Sequence, residues 1–484
     1  MSRVSDAIRI PGSYSEITVG EGGGLPSMRQ EMLIIAPRLP SGTMDALTPT
    51  RVFTPQQAAE FFGAGSVMHR MALAAFRQYT ALSLTCCAVD DAAAGIAAHA
   101  EITFTGTAAA TGSVSLWVGA DRITVRVDQG AAPAAVAAAL AEQINVLPNW
   151  PVTAAVADST PSILRLLAKN KGTTGNYLGQ KGHPPVSCDV LGLTATATVY
   201  TGGANDPEIT AALDAVAGSR YHIIALPWAT QDAAGALSEY IAEASNEINQ
   251  RGGRGFMFLE GNYSEMYTFS QGINDKRMCV GYIPGTKRPQ FENAAAFAAM
   301  QAAQPSPWLA TNDVELIGCD APPIPDRLGW NEINNLLWFG IAPFAVGAGD
   351  RVRCVRAIST YITNESGAED DTFLDSFKIA TADYVRESVR VRHLRDFTNK
   401  ILRDNHVENE PPGVVTPDDV RSTNLDVCRR IEAMGGLNNV NAFEDQFVSV
   451  RNQNVPGRVD SVIPIDIVDA AHILANNITI TSTL

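Results

Sequence analysis

The chain has 484 residues, 46% of them apolar and 18% charged, with 51 acidic against 36 basic side chains for a formal charge of −15. That length predicts two to four domains, and that apolar content a folded globular protein instead of a disordered one. The negative balance argues against a duplex nucleic-acid binder, which presents a basic surface to phosphates, while seven cysteines without a CxxC predict neither a disulfide framework nor a zinc site.

Residues 1–24 read as an extended arm: Ile8 and Ile10 alternate, Pro11-Gly12 makes a turn, Tyr14, Ile17 and Val19 follow, and Gly20 to Gly24 form a hinge. The glycines lack the spacing of a phosphate loop, because Leu25 stands where a third glycine is needed and no Lys-Ser/Thr follows. Met1 to Asp6 has no apolar core of the kind a signal peptide needs. The longest markedly apolar run, Leu336 to Ala348, falls short of the roughly 20 residues of a membrane span and reads as buried core.

From Met32 the texture is α/β. Met32–Ala36 predicts a strand, Thr54-Pro55 opens a helix with an N-cap and a proline in its first turn, Met68–Tyr79 predicts a second helix, and Leu82–Val89 a second strand. The vicinal Cys86-Cys87 pair reads as two small apolar residues ending a buried strand, not as a redox site. Between Gly95 and Gly203 the pattern changes to short Thr-, Val- and Gly-rich strands around one alanine-rich helix, Ala134–Ile144. Helix-then-strand alternation resumes after Thr201-Gly202-Gly203, with apolar runs at Tyr221–Pro227, Gly255–Leu259 and Met278–Tyr282 of the kind buried parallel strands show. The expected organisation is a layered α/β middle domain, residues 25–95 and 203–351, interrupted by an inserted β-rich peripheral domain, 96–202, and followed by a C-terminal α+β domain, 352–484.

That last region opens with an expected strand, Val352–Tyr361. A long helix from about Thr372 to Asn405 follows, acidic at its start and carrying Arg386, Arg390, Arg392, Arg395, Lys400 and Arg403 toward its end, with Phe373, Phe377, Ala380, Tyr384, Val391, Leu394 and Ile401 at apolar spacings. Thr416-Pro417-Asp418-Asp419 opens another helix, closed by Gly435-Gly436. The chain ends in two strands joined by a bend. In the second, residues 476–484, Ile478, Ile480 and Leu484 share one face and Thr479, Thr481 and Thr483 the other. Such a strand either closes its own sheet or is given to another chain.

No HExxH, GxSxG or GxxxxGK occurs. His222, in an apolar strand, and His472 read as packed or capped histidines, and Asp90-Asp91, Asp370-Asp371 and Asp418-Asp419 as caps and solvated faces. No catalytic, metal or cofactor residues are predicted.

The segment Val459-Asp-Ser-Val-Ile-Pro-Ile-Asp-Ile-Val-Asp-Ala-Ala-His-Ile-Leu-Ala-Asn476, together with Ile8-Arg-Ile-Pro-Gly-Ser-Tyr-Ser-Glu-Ile17, resembles the ends of contractile phage tail sheath proteins of the Mu-like family, and the resemblance runs along nearly the whole chain. It implies a structural subunit that polymerises in stacked rings around a tail tube and contracts to drive the tube through a bacterial envelope. Assembly in a reducing host cytoplasm and residence in the virion follow from it. It further implies that Ile8, Ile10 and Tyr14, with Ile478, Ile480 and Leu484, belong to arms that complete a sheet of neighbouring subunits, and that Arg386, Arg390 and Arg392 are tube-facing. The implied partners are other copies of the chain, the tube protein, and baseplate and tail terminator proteins, with no cofactor, nucleic acid or membrane insertion. Two alternatives stand beside it: the sheath of a bacterial contractile injection particle, and, in another class, an α/β hydrolase with a carbohydrate-binding insertion.

Overall fold

The computed structural model describes residues 24–179, 185–408 and 411–479, which form two compact units: a larger one, residues 28–383 with 467 onward, and a smaller one built mainly of residues 384–466. The N-terminal positions Ile8, Ile10 and Tyr14 and the C-terminal positions Ile480 and Leu484 lie outside the described residues.

The larger unit is organised on a nine-stranded sheet. Its order is Glu315–Asp320, Arg351–Cys354, Ala342–Val346, Met278–Tyr282, Arg254–Leu259, Ile223–Ala225, Glu31–Pro37, Ser83–Val89 and Thr50–Val52. Neighbours from Ala342–Val346 to Ser83–Val89 run parallel, and antiparallel strands close both sides. Successive residues of a strand point to opposite faces, and here both faces are covered. Met32, Ile34 and Ala36 join one apolar cluster with the helices Val67–Gln78 and Gln290–Ala302, and Leu33 and Ile35 join a second with Gln231–Ala244. Cys86 and Cys87 divide between the same two clusters in the middle of their strand. Burial raises both thiols, Cys87 to about 11, so each packs as a small apolar side chain.

Local chemistry sets the helix starts. Thr54 accepts from the Gln57 amide at 3.2 Å with Pro55 in the first turn, and Ser66 accepts from the His69 amide at 3.1 Å. The helix Gln290–Ala302 is buried on every side, and its polar residues are partnered accordingly. Glu292 takes the Arg70 Nε at 2.8 Å, and Arg70 Nη1 reaches Asp121 at 2.5 Å. Arg277 grips Asp383 with two bonds, 2.6 and 3.0 Å, in a site where both side chains are 9% exposed.

Between Ile96 and Thr201 the chain makes two small sheets of its own. One orders Leu193–Ala197, His99–Gly106, Thr160–Ala168 and Val152–Ala157, with the helix Pro133–Asn145 packed on it; the other orders Asp121–Val127, Gly112–Val118 and Val186–Asp189. The two ends of this stretch meet, since Ile96 and Ala204 exchange backbone bonds of 2.9 and 3.2 Å.

Several expectations are corrected. Val352–Tyr361 is not one strand: the strand is Arg351–Cys354, with a single bridge from Ile358 to Asp375 beyond it, and this strand belongs to the main sheet because Val352 and Cys354 bury against it, so the larger unit continues past 352 to Asp383. The apolar run Leu336–Ala348 is not continuous core, for it is divided at Gly340, whose φ of +71° suits a residue without a Cβ, into the end of the helix Trp330–Trp338 and the strand Ala342–Val346. The long helix is Ser376–Phe397, shorter than expected at both ends; at the expected start Asp370 instead takes both the amide and the hydroxyl of Thr372 in a turn. Among the described residues no helix is long and apolar enough to cross a membrane.

Candidate functional site

In the smaller unit Thr416 opens the helix Pro417–Ala433 with a reciprocal cap: its hydroxyl accepts from the Asp419 amide at 3.3 Å, and Asp419 accepts from the Thr416 amide at 2.8 Å. Gly435 ends the helix at a φ of +85°. The buried face of this helix, Val420, Leu425, Val427, Cys428 and Ile431, supports a two-stranded antiparallel ribbon, Val448–Arg451 with Val459–Val462. Arg421 fastens the ribbon's entry by donating to the carbonyls of Phe447 at 2.7 Å and Glu444 at 2.8 Å.

The ribbon pairs Val448 with Val462 and Val450 with Asp460. Cross-strand partners share a face, and on this one Val448, Val450 and Val462 are all exposed. No third strand joins the ribbon among the described residues. Two strands with an uncovered apolar face are marginal by themselves.

At the N-terminal side, the carbonyl of Pro26 accepts from the Tyr384 hydroxyl at 3.0 Å, which ties the residues following the expected arm to the smaller unit. At the other end, Val459–Val462 is a strand as expected, but the terminal strand is not formed where it is described: Asn477, Ile478 and Thr479 have no strand pairing, and Ile478 is 86% exposed. Among the described residues nothing covers it.

The three arginines do not form one face. Arg386 and Arg390 are four residues apart and neighbours on the helix surface, whereas Arg392, two further on, points elsewhere. Arg390 is exposed. Arg392 is engaged within the smaller unit, bonded to Asp396 and, at 3.1 Å, to Asp426 of the neighbouring helix. Sequence reasoning missed what accompanies Arg390: Val391 and Leu394, spaced as core residues, are exposed, as is Ile401 beyond the helix.

The two histidines His222 and His472 are packed. His222 Nδ1 accepts from the Glu31 amide at 3.1 Å, and burial beside Arg220 and Arg254 pushes its pKa down to about 4. His472 spends both ring nitrogens, on Asn312 at 2.7 Å and Asp375 at 3.3 Å. A cavity of about 420 Å³ between Tyr177, Tyr200, Glu260 and Glu265 has no histidine, serine or cysteine in its lining, and Glu265 caps its own helix there. Among the described residues no group of three or more His, Cys, Asp or Glu is placed to hold a metal.

Comparison with known proteins gives the same picture from outside the chain. Residues 202–360 match the family model of the phage tail sheath protein central domain, and 368–481 that of the phage tail sheath C-terminal domain. The chain is 26% identical over 490 residues to the Mu-like prophage FluMu tail sheath protein of Haemophilus influenzae, covering 99% of this chain and 98% of that one. In fold it is similar to a chain of the anti-feeding prophage baseplate, with a TM-score of 0.51 at 11% identity over 98% of this chain and all of that one. The chain belongs to the contractile tail sheath proteins, as a structural subunit.

Proposed function

We propose that many copies of this chain stack in helically related rings around a tail tube, and that the sheath shortens and widens to drive the tube through a bacterial envelope. The observation that carries the reading is the ribbon Val448–Arg451/Val459–Val462, with its exposed valines and edges that no third strand joins among the described residues. A neighbour's residues 476–484, with Ile478, Ile480 and Leu484 on one face, complement such an edge. So does an N-terminal arm carrying Ile8, Ile10 and Tyr14. Each backbone bond so gained contributes about 0.5–1.5 kcal/mol net, and repetition around a ring multiplies it. In this reading residues 96–202 are peripheral to assembly, Arg386 and Arg390 turn toward the tube, and baseplate and terminator proteins meet the sheath's two ends. The sheath is a virion component assembled in the host cytoplasm. No cofactor takes part, because the energy of contraction resides in the metastable extended assembly.

Deleting Asn476–Leu484 tests the reading. The described part of that stretch is exposed throughout, so the truncated chain should melt within a degree or two of the full one while electron microscopy finds no tubes. Tubes built by the truncated chain, or a midpoint many degrees lower, would overturn the donated strand.

A further inference from the structure

The C-terminal segment is held in an unusual way before it reaches Ile478. From Val468 to Thr479 it has no helix or strand, and Ile473 and Leu474 are 87% and 81% exposed. What binds it to the larger unit is polar. His472 Nδ1 pairs with the Asn312 amide group at 2.7 Å, His472 Nε2 with Asp375 at 3.3 Å, and Asp469 with Lys378 at 3.0 Å.

The receiving side is built for this ring. Asp375 is buried and oriented by both arms of Arg356, at 2.8 Å each, so its carboxylate stands ready to accept from Nε2–H. Asn312, donating to Nδ1, fixes that tautomer. Beside the ring lies a cavity of about 550 Å³ between Leu337, Val346, Arg353 and Val355 on one side and Ile473 on the other, and Ile473 lines it while remaining 87% exposed. The contact therefore selects this segment by polar side chains yet leaves its large apolar residues, Ile473, Leu474 and Ile478, in solvent. Such a contact is specific and easily peeled away.

Identical copies present identical segments, and a socket that recognises its own cannot refuse a neighbour's. In a dilute subunit the covalent link gives the chain's own segment the advantage of effective concentration; packed into rings, that advantage passes to a neighbour's segment if the neighbour's end is donated to this copy. We propose that Asn312, Asp375 and Lys378 form an exchangeable socket, occupied by His472 and Asp469 of the same chain in the free subunit and by those of an adjacent copy in the sheath. The proposal rests on the reading that the C-terminal segment links copies, and it names the surface on which that link begins.

The experiment uses full-length chains carrying Asn312→Cys and His472→Cys, treated with a short bis-maleimide, with each single variant as control for the native thiols. The free double variant should cross-link at single-chain mass, and the same variant in assembled sheaths should give a ladder of multimers. Should the double variant fold poorly, Lys378→Cys and Asp469→Cys chains, each singly substituted and mixed before assembly, serve instead. Cross-linked pairs of the two then report exchange. Single-chain product in the sheath would overturn the proposal by rooting the segment on its own subunit, and loss of all cross-linking in the sheath would overturn it by showing that the segment leaves the socket. Deletion of Asn476–Leu484 leaves every socket contact in place, so tubes built without those residues would count against the donated strand, while the cross-linking pattern decides the socket.

Discussion

Two strands of this chain, Glu31–Pro37 and Val448–Arg451, are both rich in aliphatic residues and end in opposite circumstances. Leu33, Ile34 and Ile35 are wholly buried, with a strand on each side and helices on both faces. Val450 is 53% exposed, with one neighbour strand and an uncovered face. Strand-forming residues fit a pleated surface, but burial needs something to lie on it, and a ribbon of two strands cannot provide its own cover. The contrast divides the chain into a body whose strength is internal and a segment whose apolar surface stays uncovered among the described residues.

If that division is right, the largest loss of stability comes from the body. Replacing Asp383 by Asn leaves the Arg277 guanidinium buried without its counter-charge, which should cost about 3–5 kcal/mol. Asp404→Asn, removing the ribbon's ion pair with Arg451, whose carboxylate is 70% exposed, should cost about 0–1 kcal/mol. Urea midpoints of the two variants measure the difference. Equal shifts would erase the distinction between the regions.

Acid should act on the body next. The folded chain keeps His222 neutral down to about pH 4, whereas an unfolded histidine takes its proton near 6.5. Between these values the unfolded state binds more protons, so stability rises with pH through the window; it is fully present above 6.5 and is lost as pH falls toward 4, by about 3 kcal/mol. His69 behaves alike, its Nδ1 accepting from the Gly65 amide at 3.1 Å in a site where burial, with Arg70 and Lys169 near, brings it to about 4. An Asn at 222 can keep the acceptor without the titration. The urea midpoint of His222→Asn, followed from pH 7 to 4, should fall less steeply than that of the parent, and an unchanged slope would remove His222 as the cause.

How much of this was legible in the sequence follows from where each signal resides. The central strands announced themselves because residues buried on both sides must be apolar without interruption, as in Met32–Ala36 and Met278–Tyr282. Thr54-Pro55 and Thr416-Pro417 announced helices because a cap is a local event. The helix Trp330–Trp338 went unread: its two tryptophans are exposed, so the apolar pattern points away from the core. Val391 and Leu394 misled in the opposite sense, keeping core spacing on a helix end that is exposed among the described residues. The His472 socket left no local trace. Its partners Asp375 and Asn312 lie 97 and 160 positions away, and only the fold brings them together.

The smallest expected effect on the folded chain sharpens the comparison most, because it separates two arginines of one helix. Arg392 faces inward, bonded to Asp396 and Asp426, so reversing its charge sets a carboxylate against two others; the thermal midpoint should fall by a few degrees, and self-assembly should suffer with it. Arg390 is exposed and, among the described residues, makes no ion pair. Arg390→Glu should leave the midpoint unchanged within error and leave sheath self-assembly as it was. If the exposed end of this helix registers the sheath on its tube, co-sedimentation with assembled tube should weaken several-fold. The interaction would be between charges at a wet surface, which salt screens over about 10 Å at 0.1 M, so parent and variant should converge as salt is raised toward 0.5 M. A deficit that persists at high salt would mean that Val391 and Leu394, not the charge, make the contact. Co-sedimentation equal to the parent at low salt would remove Arg390 from the tube interface altogether.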